Sequence, residues 1–167
     1  MKKSQGYSII PKIMKPAVYS QVYIHLVFSP RGREACIREE IQKEIYSYIS
    51  KIITNKNHKS ININGMPDHI HILVGFNQTT TISDLVRDIK RSSSLYINEN
   101  KLIGTKFQWQ EGYGVFSYSR SHLRRIYQYI ENQKIHHQKK TFKDEYIESL
   151  GKFEIPYDTR YLFEFYD

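Results

Sequence analysis

The sequence predicts an α+β fold of the ferredoxin-like (split βαβ) kind, an antiparallel sheet with helices on one face and a further helix near the C-terminus. Stretches in which apolar residues alternate with other residues, which suit strands, are separated by stretches with apolar residues three and four apart, which suit helices. Their order is strand, helix, strand, strand, helix, strand, which is the split βαβ order. With 167 residues and 40% hydrophobic content, the chain is long enough for one domain with its own core.

The elements follow from these periodicities in chain order. We interpret residues 1–17 as a basic arm without a regular period, preceding a domain over 18–150. The predicted elements of this domain are strands over 18–28, 61–63, 67–74 and 115–118, and helices over 37–52, 82–96, 121–136 and 142–150. The tail over 151–167 is aromatic and acidic, and we expect it to pack on the domain, because exposed aromatic side chains would form a sticky patch.

The strand over 67–74 carries two histidines on one face. Because side chains alternate along a strand, His69 and His71 point to one side while Ile70 and Ile72 point to the other. Both helices of the split βαβ unit are expected on the apolar side, which leaves the histidine side free for function. Two imidazoles so placed can begin a divalent metal site, whose third ligand must come from elsewhere. His25 could share this face, where we favour a packed, hydrogen-bonded histidine.

The helix over 121–136 separates into two strips when residues are placed about 100° apart. The strip expected to pack on the domain comprises Leu123, Ile126, Tyr127 and Ile130. The other strip comprises His122, Arg125, Tyr129, Gln133 and His136. The amide oxygen of Gln133 could complete a site for Mg²⁺ or Mn²⁺, and Tyr129 lies one turn away, about 6 Å by Cβ, as a candidate nucleophile toward a phosphodiester. Its general base stays open, because His122, His136 and His137 are candidates by proximity in sequence alone.

Charge and composition indicate the class of partner. A net charge of +8 and a pI near 9.4 favour a polyanion, either nucleic acid or an anionic membrane surface. No stretch has the length of a membrane span and no signal peptide is visible, so we expect a cytoplasmic protein without a membrane partner. The lone Cys36 excludes an internal disulfide and a zinc–thiolate framework. The candidate DNA contacts are Arg87, Lys90, Arg91 and Arg125 for phosphates, and Trp109 and Tyr113, which either stack on bases or anchor a loop.

Three segments together resemble the HUH single-tyrosine transposases of bacterial insertion sequences and their REP-associated relatives. They are Asp68-His69-Ile70-His71, Trp109-Gln110-Glu111-Gly112-Tyr113-Gly114, and Tyr129-Ile130-Glu131-Asn132-Gln133 followed by His136-His137. The resemblance extends from about residue 18 into the C-terminal tail. It implies that His69, His71 and Gln133 bind a divalent metal, Mg²⁺ or Mn²⁺, and that Tyr129 is the nucleophile. It further implies a homodimer, with the tyrosine of one protomer able to act in trans, and cleavage and rejoining of single-stranded DNA at hairpin-flanked element ends through a 5′-phosphotyrosyl intermediate.

Other functions remain open at this stage. A non-catalytic single-stranded nucleic-acid-binding module on the same fold is disfavoured, because RNA-recognition domains carry aromatic residues at the central sheet positions held here by His69 and His71. A domesticated relative that nicks or binds DNA without moving an element is a second alternative. A metal-dependent hydrolase is a third, with water as nucleophile and Tyr129 dispensable. A covalent protein–DNA species would separate these alternatives.

Overall fold

The structure is a computed structural model that describes residues 19–32 and 36–165. A four-stranded sheet forms its centre, built from β1 (Val22–Phe28), β2 (Lys59–Met66), β3 (His69–Phe76) and β4 (Gly114–Tyr118). The strand order is β2-β3-β1-β4, and all three pairings are antiparallel. This order confirms the predicted split βαβ arrangement. The predicted basic arm over 1–17 lies outside the described residues.

Two long helices cover one face of the sheet. They are α1 (Glu39–Asn55) and α2 (Ile82–Glu99). Thr81 caps the start of α2, because its side chain accepts a hydrogen bond from the Asp84 amide. Apolar residues recur on both helices every three to four positions and meet the apolar side of the strands in one continuous core. Its central members are Ile24, Leu26, Phe28, Ile45, Ile49, Ile53, Ile70, Ile72, Val74, Leu85 and Ile89.

The opposite face of the sheet is covered, which differs from the expectation that it stays free. Three shorter helices lie on this side: α3 (Leu123–Glu131), α4 (Gln133–His136) and α5 (Phe142–Lys152). Ile126 and Ile130 of α3 pack on Leu73 of β3. The side chains on this face of the sheet are therefore enclosed between strands and helices.

The predicted helix over 121–136 is interrupted. A 3₁₀ turn over Arg120–His122 precedes α3, and the chain leaves helical geometry at Asn132 before α4 begins. The neighbouring strand explains this end, because the side-chain amide of Asn64 on β2 donates to the carbonyls of Ile130 at 2.8 Å and Glu131 at 3.0 Å. These carbonyls at the end of α3 are thereby satisfied without a further helical turn.

The prediction that Tyr127 belongs to the packing strip of this helix is wrong. Tyr127 is 42% exposed, because α3 turns Ile126 and Ile130 toward the sheet and leaves Tyr127 at the solvent edge of that strip.

Part of the segment after α5 lies against the rest of the fold, through Phe163 and Phe165, whereas Tyr157 and Tyr161 are exposed. The Phe163 ring is buried, with its centroid 4.9 Å from that of Tyr146. The Gln110 side chain binds the Glu164 backbone twice, accepting from its N–H at 2.8 Å and donating to its carbonyl at 2.9 Å. In the described parts of the chain, no helix combines the length and the apolar character needed to cross a membrane.

Candidate active site

The two histidines of β3 lie at the bottom of the enclosed face. His69 is 0% exposed and His71 is 2% exposed, and both point toward the helices α3 to α5, as strand alternation requires. The ring of His69 stacks flat on that of Phe142 from α5, with 4.1 Å between centroids and 1° between planes. The site is thus formed between the sheet and the C-terminal helices.

Hydrogen bonds to Nδ1 orient both imidazoles. The Nδ1–H of His69 donates to Asp68 Oδ1 at 2.7 Å, and Nδ1 of His71 lies 2.9 Å from Nε2 of His25. With the proton of each ring on Nδ1, both Nε2 lone pairs face the same space, as in metal sites whose ligands are held by outer partners. The prediction that His25 is packed and hydrogen-bonded on this face is confirmed.

Burial keeps the His25 and His71 imidazoles neutral. Burial lowers the pKa of His25 to about 3, and burial together with the neighbouring histidines lowers the pKa of His71 well below its usual value. Burial acts to raise the pKa of Asp68, but its hydrogen bond to His69 holds this pKa below its usual value. Neutral imidazole is the form that binds a metal.

Gln133 lies beside the histidines. It is the first residue of α4, is 0% exposed, and places Oε1 at 3.3 Å from Nε2 of His69. A neutral imidazole whose Nδ1–H donates a hydrogen bond to Asp68 presents a lone pair at Nε2, so this nitrogen and the Gln133 oxygen face each other as two acceptors. Neighbouring ligand atoms of an octahedral ion with bonds near 2.1 Å lie about 3 Å apart, so this spacing fits a shared cation.

Glu145 of α5 also enters the site, and sequence reasoning missed it. One carboxylate oxygen of Glu145 and one nitrogen from each of His69 and His71 lie within 4.8 Å of one another. Glu145 is three residues after Phe142, on the side of α5 that packs on the sheet. The sequence did contain a sign of this role, because Glu145 is a carboxylate on the side of the predicted helix over 142–150 that would pack on the domain.

Three buried polar atoms indicate that the site is built for a further group. Nε2 of His71, Oε2 of Glu145 and Nε2 of His137 have no hydrogen-bond partner among the described residues. Leaving a buried polar atom unpaired costs about 1–3 kcal/mol. Two imidazoles, an amide oxygen and a carboxylate form a donor set that fits a divalent cation, and such a cation would satisfy the first two of these atoms.

Glu145 and His137 are in contact but do not form an ion pair at neutral pH. Oε2 of Glu145 lies 2.8 Å from Nε2 of His137. Burial raises the pKa of Glu145 to about 7, and burial lowers the pKa of His137 to about 4. His137 is therefore a half-buried neutral ring beside the site, rather than part of an exposed helix end.

Tyr129 lies one helical turn before Gln133 and faces the same site. Its hydroxyl donates a hydrogen bond to Oε1 of Glu145, and its ring centroid lies 5.9 Å from that of His71 and 5.0 Å from that of His136. A cavity of about 730 Å³ opens at Tyr129. The basic residues that line this cavity are Arg125, Lys139, Lys140 and Lys152.

The two aromatic candidates for base stacking are at least partly buried. Trp109 is 8% exposed, its indole N–H donates to Oγ of Ser93 at 2.9 Å, and its ring meets those of Phe28 and Phe107 edge to face. Tyr113 is half-buried against the same core. Trp109 therefore anchors its loop, which is the alternative that the sequence left open.

The four basic candidates lie in two places. Arg125 lines the cavity at Tyr129, whereas Arg87, Lys90 and Arg91 belong to α2, on the other face of the sheet. Nζ of Lys90 donates to the carbonyl of Gln110 at 2.8 Å, and burial lowers the pKa of Lys90 to about 8. Lys90 thus holds the loop that contains Trp109, while Arg87 and Arg91 are exposed.

A family model described as "Transposase IS200 like" matches residues 18–133, more than half of the chain. The chain belongs to the IS200-like transposase family. Membership in this family of single-tyrosine HUH transposases implies DNA cleavage and strand transfer.

Individual transposases resemble the chain over most of its length. The ISDra2 transposase TnpA of Deinococcus radiodurans is 26% identical over 139 residues, which span 80% of this chain and 91% of that protein. A transposase crystal structure from the same organism superposes with a TM-score of 0.54 at 26% identity, covering 80% of this chain and 98% of that one. A REP-associated tyrosine transposase bound to a REP hairpin shares the fold, with a TM-score of 0.56 at 16% identity, covering 82% and 74%.

Proposed function

We propose that this transposase acts in the cytoplasm and cleaves and rejoins single-stranded DNA at hairpin-flanked element ends, by attack of Tyr129 on a phosphodiester. One observation carries the proposal. The Tyr129 hydroxyl, the two Nε2 atoms of His69 and His71 and the Gln133 amide come from β3, α3 and α4, yet they meet in one enclosed site. A nucleophile beside a set of metal ligands is the arrangement that metal-assisted phosphoryl transfer requires.

The chemistry follows from the residue types. The Tyr129 oxygen loses its proton and forms a bond to phosphorus, while the bond from phosphorus to the 3′ oxygen breaks. The leaving 3′ oxygen takes up a proton to become a hydroxyl, and the DNA 5′ end remains on the protein as a phosphotyrosyl ester. Because one phosphoester replaces another, a new 3′-hydroxyl can reverse the step and join the strands. Mg²⁺ or Mn²⁺ held by His69, His71 and Gln133 would supply Lewis-acid polarisation of the phosphate oxygen. Arg125 lines the cavity at Tyr129, in reach of the DNA backbone there.

Hairpin-bearing single strands are the proposed substrate. The chain carries a net charge of +8, and three lysines and an arginine line the cavity that leads to Tyr129. The REP-associated transposase with the same fold was captured on a REP hairpin, which supports a hairpin as the element of DNA that is bound here. Arg87 and Arg91, on the far face of the sheet, are the candidates for contacts to DNA outside the cleavage site, and Arg87 is ion-paired there with Asp84 and Asp88.

A homodimer is part of the proposal, and the structure bears on how its tyrosines would be used. Tyr129 lies beside the histidines of its own chain, so one protomer contains all four proposed residues. This arrangement supports attack in cis. A mixture of Tyr129→Phe and His69→Ala proteins should then form no covalent DNA adduct, whereas restored adduct would show that the tyrosine helix serves the partner protomer.

The central test is a covalent adduct on a denaturing gel. The protein is incubated with labelled hairpin-bearing single strands from its own locus, with Mg²⁺ or with a chelator. Tyr129→Phe is compared with Tyr127→Phe, a matched control because Tyr127 is exposed on the same helix. We expect a metal-dependent adduct that Tyr129→Phe alone abolishes. Tight binding without an adduct would instead favour a non-catalytic or domesticated binding module, and strand cutting without an adduct would favour a hydrolase.

A further inference from the structure

Glu145 lies at the centre of the site and contacts its other members. It is 7% exposed. Its Oε1 accepts hydrogen bonds from the Tyr129 hydroxyl and, at 3.1 Å, from Nε2 of Gln133. The same oxygen lies 3.6 Å from Nε2 of His71, and Oε2 lies 3.9 Å from Nε2 of His69. One carboxylate therefore touches the proposed nucleophile and approaches all three proposed metal ligands.

The packing of α5 fixes this position. Phe142 stacks on His69, and Tyr146 packs on Phe163 of the C-terminal tail. Residues three and four apart on a helix share a side, so the contacts made by Phe142 and Tyr146 direct Glu145 into the site. The carboxylate reaches the histidines because α5 is anchored on both sides of it.

We propose that Glu145 is an exchangeable ligand, which holds the Tyr129 hydroxyl while no ion is bound and coordinates the divalent ion beside His69 and His71 when the ion enters. The inference rests on the proposed function and adds an anionic ligand to its metal site. Two imidazoles and an amide leave the charge of the ion uncompensated, whereas carboxylate oxygen is a donor that Mg²⁺ and Mn²⁺ favour. Oε1 of Glu145, which accepts from the Tyr129 hydroxyl, is also the carboxylate oxygen that lies 3.6 Å from Nε2 of His71, so the ion and the hydroxyl would compete for the same oxygen.

The double use of one carboxylate couples the ion to the nucleophile. When Glu145 turns to the ion, the Tyr129 hydroxyl loses its acceptor and becomes free to meet a phosphodiester. The coupling is reciprocal, because a tyrosine that competes for the carboxylate must weaken ion binding as much as the ion weakens the tyrosine contact. Removal of the tyrosine hydroxyl should therefore strengthen ion binding.

Calorimetric titration of the full chain with Mn²⁺ tests the ligand role. Glu145→Gln keeps the shape of the side chain and removes its charge. Glu148→Gln is the matched control, because Glu148 lies one turn later on α5, where it pairs with Lys140 and Lys152 at the surface. We expect Glu145→Gln to weaken Mn²⁺ binding at least ~10-fold, as loss of a ligand should cost no less than loss of an outer partner. Glu148→Gln should stay close to wild type.

The exchange itself is tested with Tyr129→Phe. This variant should bind Mn²⁺ about tenfold more tightly than wild type, because a hydrogen bond to a charged group no longer competes. Tyr127→Phe should bind as wild type does. An NMR experiment on protein labelled at the tyrosine Cζ atom follows the hydroxyl directly. The chemical shift of Tyr129 Cζ should change on addition of Mg²⁺ in wild type and stay constant in Glu145→Gln.

The outcomes separate this inference from the proposed function. Wild-type Mn²⁺ affinity in Glu145→Gln would overturn the ligand role, and unchanged or weaker affinity in Tyr129→Phe would overturn the exchange, even if a covalent DNA adduct forms. Absence of the adduct with Glu145-dependent Mn²⁺ binding would overturn the proposed function alone. Circular dichroism in chelator shows whether each variant is folded. Should Glu145→Gln not fold, Glu145→Asp keeps the charge at a shorter reach, and its affinity must then fall below that of wild type.

Discussion

The buried imidazoles make the metal-free protein sensitive to acid. Burial holds the pKa of His25 at about 3, that of His137 at about 4 and that of His71 well below its usual value. The unfolded chain protonates these rings near pH 6.5, so between pH 6.5 and about 4 it binds about three protons that the folded protein does not. Stability therefore falls as the pH falls through this window.

Glu145 opposes this trend. Burial raises its pKa to about 7, so between pH 4.5 and 7 the folded state holds a proton that the unfolded state lacks. The unfolded state gains about three protons at the histidines and the folded state gains about one at Glu145, so the unfolded state binds about two more. Once the unfolded imidazoles are charged, the free energy of unfolding therefore falls by about 2.7 kcal/mol per pH unit. Against a typical total of about 5–15 kcal/mol, the protein should unfold within a few pH units of neutrality.

The test is urea unfolding in chelator at pH 6 and pH 5, in wild type and in His25→Asn. Removal of one buried ring should reduce the loss of stability between these pH values by about 1.4 kcal/mol. His122→Asn, which removes an exposed histidine, is the control for the loss of a histidine as such. Equal slopes in wild type and His25→Asn would refute the assignment of acid sensitivity to this buried histidine.

Three further substitutions have defined outcomes. Asp68→Asn removes the carboxylate that orients the first histidine of the pair, and Mn²⁺ affinity by calorimetry should fall about 10- to 100-fold. Ser93→Ala leaves the buried indole N–H of Trp109 without its acceptor, so urea unfolding should show a loss of about 1–3 kcal/mol while adduct formation in Mg²⁺ is kept. Gly114→Ala would place a Cβ 2.7 Å from the ring of Tyr146, so stability should drop by about 1–3 kcal/mol; unchanged stability would show that α5 can shift.

The histidine pair and the tyrosine could be grouped from the sequence because both depend on local geometry. Alternation along a strand fixes the common side of His69 and His71, and helical spacing places Tyr129 one turn from Gln133. The order of the elements predicted the sheet topology for the same reason, since few arrangements of a split βαβ chain are compatible with short connections. The structure adds that these local groups face one another.

The errors concern contacts between segments distant in sequence. The helix over 121–136 looks continuous from its periodicity, and its end at Asn132 depends on the side chain of Asn64, which is brought there by β2. From the sequence around it, Glu145 is indistinguishable from the other acidic residues of an amphipathic helix. Its place in the site depends on how α5 docks through Phe142 on His69, which no local pattern encodes.

The histidines lie beneath three helices, and this burial limits which form of DNA, duplex or single strand, can reach the site. If Tyr129 is the nucleophile as proposed, a phosphodiester must enter a recess of about 730 Å³ to reach it. Duplex DNA has a persistence length of about 50 nm and cannot direct one backbone sharply into such a recess, whereas a flexible strand can thread it. Chain stiffness alone would then select the substrate, before any base is read.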